Sequence, residues 1–173
     1  VVDIHEGLES TLLILQNQLH PDPSQPGIQV QRDYGDFPPV ECYPGALNQV
    51  FMYLLTNAID ALTNIERDDA SEEAVEEATP MTDWVPTIVV RSRQCDDNTI
   101  QISIADNGPG MDEDVQQHMF DFFFSTKRND RATGLGLSIS YQIITENHQG
   151  QLICQSTLNK GTEFIVQIPI RQP

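Results

Sequence analysis

The sequence predicts a two-layer α/β sandwich, with helices packed over a mixed, largely antiparallel sheet. Three observations lead there. Apolar residues recur at helical spacing early, midway and late in the chain. Two pairs of alternating segments flank short turn sequences. A length of 173 residues with a hydrophobic fraction of 39% suffices to bury one core without disulfides or metal.

Taken in order, residues 3–19 place Leu8, Leu12, Leu15 and Leu19 on one helical face, and Pro21, Pro23 and Pro26 end that helix. Residues 28–34 form a short strand candidate. Pro44 suits the first turn of a second helix running to about Thr63. On it Leu47, Val50, Phe51, Leu54, Leu55, Ala58 and Leu62 make one apolar face, while Tyr53, Asn57, Asp60 and Asn64 share the other. Residues 66–83 carry Asp68, Asp69, Glu72, Glu73, Glu76 and Glu77 with hardly an apolar residue, and read as a solvated, mobile insertion. Residues 87–95 and 99–106 flank Asp96-Asp97-Asn98 as a hairpin. A short helix over 112–119 precedes an irregular stretch, 120–133. A last helix over 135–147 is stopped by Gly150. Strands 151–156 and 162–170 flank Asn159-Lys160-Gly161. There is no internal repeat.

The net charge of −17 argues against nucleic-acid binding, which needs Lys and Arg in excess. Nothing is apolar for long enough to cross a bilayer, and the N-terminus lacks a basic-then-apolar signal pattern. A cytosolic domain without membrane contact is therefore expected. Cys42, Cys95 and Cys154 lack metal-ligand spacing and read as buried reduced thiols. His20, His118 and His148 show no metal spacing either and are expected at the surface.

Three pieces could together hold a nucleotide. Asn57 lies nearest the apolar border of its helix, where its carbonyl could offer Mg²⁺ a hard oxygen, although such a polar face is usually only wet. In 99–106 the alternation that buries Ile100, Ile102 and Ile104 also carries Asp106 inward, and an inward carboxylate is costly unless hydrogen-bonded. Asn107-Gly108-Pro109-Gly110 follows at once, so a buried acceptor borders glycine-lined space, as an exocyclic amine such as adenine's would require; a capped turn is the other reading. Finally, Thr133-Gly134-Leu135-Gly136-Leu137-Ser138 opens the last helix. Glycine-exposed amides there could bind phosphate without nearby lysines, which answers the repulsion set by the acidic chain.

In this order the pieces resemble the boxes of the ATP-binding domain of sensor histidine kinases, in the superfamily of DNA gyrase, Hsp90 and MutL. Asn48–Leu62, with Asn57-Ala58-Ile59-Asp60-Ala61, looks like the N box, and Asp106-Asn107-Gly108-Pro109-Gly110-Met111 like the first glycine box. Phe120-Asp121-Phe122-Phe123-Phe124-Ser125-Thr126-Lys127 looks like the F box. Residues 133–138 look like the second glycine box, and Lys160-Gly161-Thr162 like the turn before the final strand. The resemblance covers roughly residues 3–169 and implies a Bergerat-type fold. Residues 1–20 look like the join from dimerisation helices, with the ATP-binding domain over 21–173.

The resemblance implies ATP and Mg²⁺ as cofactors. Asn57 would coordinate the metal, with Asp60 and Ala61 beside it, and Asp106 would bind the adenine amine. Gly108, Gly110 and Met111 would shape the base pocket. Thr133, Gly134, Leu135, Gly136 and Leu137 would present amides to the phosphates under a mobile lid, 120–133, bearing Lys127; Thr162 would complete the site. The implied reaction transfers the γ-phosphoryl group of ATP to a histidine on a separate dimerisation and phosphoacceptor domain, with a response regulator as onward partner. Three residues depart from the family pattern. Tyr53 stands one turn before Asn57, where Asn or a carboxylate is usual; Phe122 replaces a proline; and Ala132 replaces a lid glycine. Tyr53 is expected to border the metal and triphosphate and to affect catalysis more than binding. It favours a rival reading, a degenerate nucleotide-holding module. A second rival is an ATPase or serine kinase of the same superfamily. His5 is followed by an acid, as a phosphoacceptor would be, but the prolines after residue 20 come too soon for the long helical hairpin on which such a histidine sits.

Overall fold

The computed structural model describes residues 1–24, 26–68, 84–124 and 134–171, with only the backbone of 64–68. Five strands form one sheet in the order β1-β2-β3-β5-β4. These are β1 (Gln29–Tyr34), β2 (Thr87–Gln94), β3 (Thr99–Asp106), β4 (Gln151–Thr157) and β5 (Gly161–Pro169). β1 pairs with β2 in parallel, and every other pairing is antiparallel, so the mixed sandwich read from the sequence is the fold observed.

One face of the sheet is dry. Ile88 and Val90 of β2, Ile100, Ile102 and Ile104 of β3, and Phe164, Val166 and Ile168 of β5 alternate onto it, all buried. Helix α1 (Ile4–Ile14) and helix α3 (Pro44–Asp68) cover that face. Leu8, Leu12 and Leu15 meet Leu47, Phe51 and Leu54 in the same core. Burying each such side chain contributes about 1.5–3 kcal/mol.

Local chemistry sets the helix ends. Asp3 caps α1 by accepting from the His5 amide at 2.8 Å. The helix read from 3–19 breaks near Leu15 into α1 and the short α2 (Gln16–Leu19). Pro44 is the first residue of α3 as expected, but the helix runs to Asp68, past the expected end at Thr63. The rest of the acidic insertion, 69–83, lies outside the described residues.

Three readings need correction. His148 is fully buried, not a surface residue. Its Nδ1 hydrogen donates to the Ile143 carbonyl at 2.9 Å and its Nε2 accepts the Tyr43 amide at 3.1 Å. Those two partners fix the neutral Nδ1–H tautomer and tie the end of the last helix to the start of α3. Nor does Gly150 supply the left-handed stop: Gln149 does, at φ 50°. Gly150 is small because a Cβ there would run into the Gln167 backbone carbonyl. The cysteines are unpaired, but Cys95 is exposed, while Cys42 and Cys154 are half-buried.

His5 is also accounted for. Its ring stacks on Tyr34 with centroids 4.6 Å apart, and its Nε2 lies 2.8 Å from the Ser92 hydroxyl. Glu9, one turn on, accepts from Arg32 at 2.7 Å and from Tyr34 at 2.8 Å.

Candidate functional site

Asp106 ends β3 in the phase that buries its isoleucines, and its side chain is half-buried as alternation requires. The Gly108 amide donates to its Oδ1 at 2.9 Å. Burial raises its carboxyl to about 6, with hydrogen bonds from the Gly108 and Thr162 backbones pulling the other way. The group is thus a carboxylate at neutral pH but an expensive one, as an acceptor waiting for a donor should be. Cys154 lies within its electrostatic reach; burial, helped by the Asp106 charge, pushes that thiol up to about 12 and keeps it protonated.

The turn after Asp106 is built by close approach. Gly108 sits against α3, where a Cβ would come 3.4 Å from that of Ala61. Gly110 adopts φ +68°, and a Cβ there would collide with the Thr157 carbonyl of the β4–β5 hairpin. Ser156 fastens the same junction. Its hydroxyl accepts the Met111 amide at 2.8 Å and lies 2.9 Å from that of Thr162. Gln116 of α4 (Glu113–His118) donates to the carbonyls of Met111 and Ser156. Thr162 is directly opposite Asp106 across β3 and β5 and is buried.

Asn107 is the residue the sequence argument passed over. Its backbone amide donates to the Thr87 carbonyl at 3.3 Å. Its side chain accepts the Thr87 amide and donates to the Val85 carbonyl, both at 2.8 Å. Its own carbonyl accepts the Trp84 indole N–H at 3.3 Å. All four of its polar groups are spent on residues 84–87.

The opposite side of the site is built from α3 and the second glycine turn. Tyr53, Asn57, Asp60 and Ala61 are half-buried along α3. Asn57 and Asp60 are both engaged by neighbours. Helix α5 (Gly136–Gln142) begins beside them and continues as a π-helical turn, Ile143–Asn147, where a plain α-helix was expected. Gly134 has φ +66° and lies against the Phe123 backbone. A Cβ on Gly136 would come within 3.1–3.6 Å of the Tyr53 ring, so the phenol rests on the second glycine turn. Its hydroxyl accepts from Gln49 at 3.1 Å. Leu135 and Leu137 are half-buried, Leu137 against the core. Helix α3 thus links the two glycine turns, with Tyr53 against Gly136 and Ala61 against Gly108. Lys127, Thr133 and the lid beyond Phe124 lie outside the described residues.

No cluster of three His, Cys, Asp or Glu among the described residues could hold a metal alone. A single amide oxygen such as that of Asn57 fits Mg²⁺, which keeps phosphate and water oxygens and asks little of the protein. A concavity of about 410 Å³ lies elsewhere, on the open face of the sheet, lined by Arg91, Arg93, Gln101 and Glu163. Among the described residues, no helix is long and apolar enough to cross a membrane.

Comparison with known proteins places the chain in a family and a fold. The family model described as histidine kinase-, DNA gyrase B-, and HSP90-like ATPase matches residues 43–172. Sporulation kinase E of Bacillus subtilis (strain 168) is 36% identical over 146 residues, 84% of this chain and 17% of that protein. The signal transduction histidine-protein kinase AtoS of Escherichia coli (strain K12) is 29% identical across 98% of this chain and 24% of its own length. The chain thus spans about a fifth of these relatives. The solved catalytic domain of histidine kinase ThkA shares the fold with a TM-score of 0.73 and 24% identity, covering 96% of this chain and 92% of that one. Full-length ShkA, crystallised in complex with AMPPNP, aligns with a TM-score of 0.74 and 21% identity over 99% of this chain and 31% of its own.

Proposed function

Because the chain belongs to the histidine kinase-, DNA gyrase B- and HSP90-like ATPase family, we propose that it is the ATP-binding catalytic domain of a two-component sensor kinase. In this reading it passes the γ-phosphoryl group of ATP to a histidine on a separate dimerisation and phosphoacceptor domain, joined through residues 1–20. A response regulator is the onward partner. The observation that carries the reading is Asp106: a half-buried carboxylate, costly to ionise, beside a glycine turn packed closely on α3 and the β4–β5 hairpin.

In operation, Asp106 accepts the adenine amine and so sets the base in register. The Gly134 and Gly136 turn presents backbone amides to the phosphates at the start of α5. Asn57, with Asp60 and Ala61 alongside on α3, would hold Mg²⁺, which when bound supplies charge neutralisation to the phosphate oxygens. Phosphoryl transfer asks mainly for positioning and charge stabilisation, so the attacking imidazole can come from another domain. Tyr53 supports the phosphate turn through ring contact.

The test is phosphohistidine formation. The domain, mixed with Mg·ATP and a separately supplied helical hairpin bearing the acceptor histidine, should label that histidine. Clear nucleotide binding without any acid-labile phosphate on the hairpin would reduce the chain to a nucleotide-holding module.

A further inference from the structure

The chain has one tryptophan, Trp84. It is half-buried against the core, and its indole N–H reaches the Asn107 carbonyl at 3.3 Å. That carbonyl belongs to the peptide between Asn107 and Gly108, the link between the base-binding carboxylate and the glycine turn. Every other polar group of Asn107 is tied to Val85 or Thr87, so residues 84–87 and the turn form one welded unit. Beyond residues 84–87 the turn also packs on α3, at Ala61 and Leu62, and on the β4–β5 hairpin at Thr157.

We propose that Trp84 is a specificity-determining residue of the base site: its indole holds the 107–108 peptide and its ring walls the pocket on the β2 side. This rests on the reading of Asp106 as the adenine acceptor. A relaxed peptide would let the Gly108 amide and the Asp106 carboxylate drift relative to the base edge. ATP, which uses that carboxylate, should suffer more than GTP, which presents no amine there.

The experiment pairs calorimetry with emission from the single tryptophan, excited where tyrosine does not absorb. Mg·ATP should shift the emission and reduce its quenching by acrylamide, saturating at the calorimetric Kd. Trp84→Phe keeps an aromatic ring but loses the donor. It should weaken ATP binding about 3- to 10-fold, the worth of one neutral hydrogen bond, with a smaller effect on GTP. A merely structural tryptophan would lower the melting temperature while leaving the ATP-to-GTP ratio unchanged, and that result overturns the proposal. ATP binding with silent emission and unchanged quenching overturns it as well. Failure of the parent domain to bind ATP at all removes the Asp106 reading and this inference together.

Discussion

The two sides of the site are made differently. The side proposed to take the base, from Asp106 to Met111, is cross-linked on every flank: to residues 84–87 through Asn107, to the β4–β5 hairpin through Ser156 and Gly110, and to α4 through Gln116. On the side proposed to take the phosphates, the contacts of the described residues include packing on glycine, while the Ser138 and Ser140 hydroxyls bond to the carbonyls of Leu135 and Gly136 and Asn57 and Asp60 have partners of their own. Tyr53 touches Gly136, Gly134 touches the Phe123 backbone, and the Tyr53 hydroxyl has one exposed partner, Gln49. Adenine has a fixed shape and rewards a pre-formed slot, since ordering costs are met on folding and not on binding. A triphosphate that must be admitted, reacted and released asks for a side that can give way.

The largest effect should come from filling the base-side turn. Gly110→Ala places a Cβ at φ +68° against the Thr157 carbonyl. Left-handed strain of about 1–3 kcal/mol adds to the clash, so chemical denaturation should show a loss of about 3 kcal/mol. Gly136→Ala meets only the edge of a movable ring and should cost under about 1 kcal/mol. Equal losses at the two glycines would abolish the contrast.

Next comes Asp106→Asn, with opposite effects on binding and stability. Removing the charged acceptor should cost about 1.5–3 kcal/mol in ATP affinity by calorimetry, with little change for GTP. The free domain should gain stability at neutral pH. The folded carboxyl is raised from 3.8 to about 6, so its favourable protonated contribution is complete below 3.8 and lost as pH rises through 6. Above that it burdens the fold by on the order of 2 kcal/mol. Urea melts of parent and variant should therefore diverge at pH 8 and converge at pH 4. ATP affinity of the parent should fall as pH drops below 6.

Ser156→Ala removes the acceptor of the Met111 amide and the link to Thr162 and should cost about 1 kcal/mol in stability. The smallest effect is expected at Tyr53. Tyr53→Phe keeps the ring on Gly136 and loses one exposed hydrogen bond, so stability should change by about 0.5 kcal/mol or less. Phosphotransfer to a supplied acceptor hairpin should stay as it is. Tyr53→Asn restores the family's usual polarity and should raise phosphotransfer with little change in nucleotide affinity, the mark of an interaction made mainly in the transition state. Lower activity in the Phe variant would instead make the hydroxyl a working group.

Much of this was legible because period and turn chemistry are local. Alternation alone placed Asp106 on the inner face with Ile104, and the turn residues Asn159 and Gly161 take the positive φ angles their types favour. Asn107 was missed because in a strand phase it simply points opposite to Asp106, and a polar residue there carries no signal until residues 84–87 return beside it. Trp84 directly follows the acidic stretch, and nothing beside it in the sequence signals its bond to the Asn107 carbonyl. His148 follows an exposed Asn147, and only the amide of Tyr43, brought in from 105 residues away, makes its burial affordable. The break into a π-helical turn at Ile143 has no sequence signal that we can identify.

The stacking of His5 on Tyr34 and the grip of Glu9 on Arg32 bear on how force enters the molecule. Helix α1 is fastened to the sheet edge by these contacts and to α3 by Leu8, Leu12 and Leu15. A pull or twist applied to the backbone at Asp3 meets no slack segment before it reaches α3. It passes through one layer of packed side chains to the helix that carries Asn57. Cutting α1 away would not detach a tether. It would open a greasy trench along Leu47 and Phe51, and α3 would lose the surface it leans on.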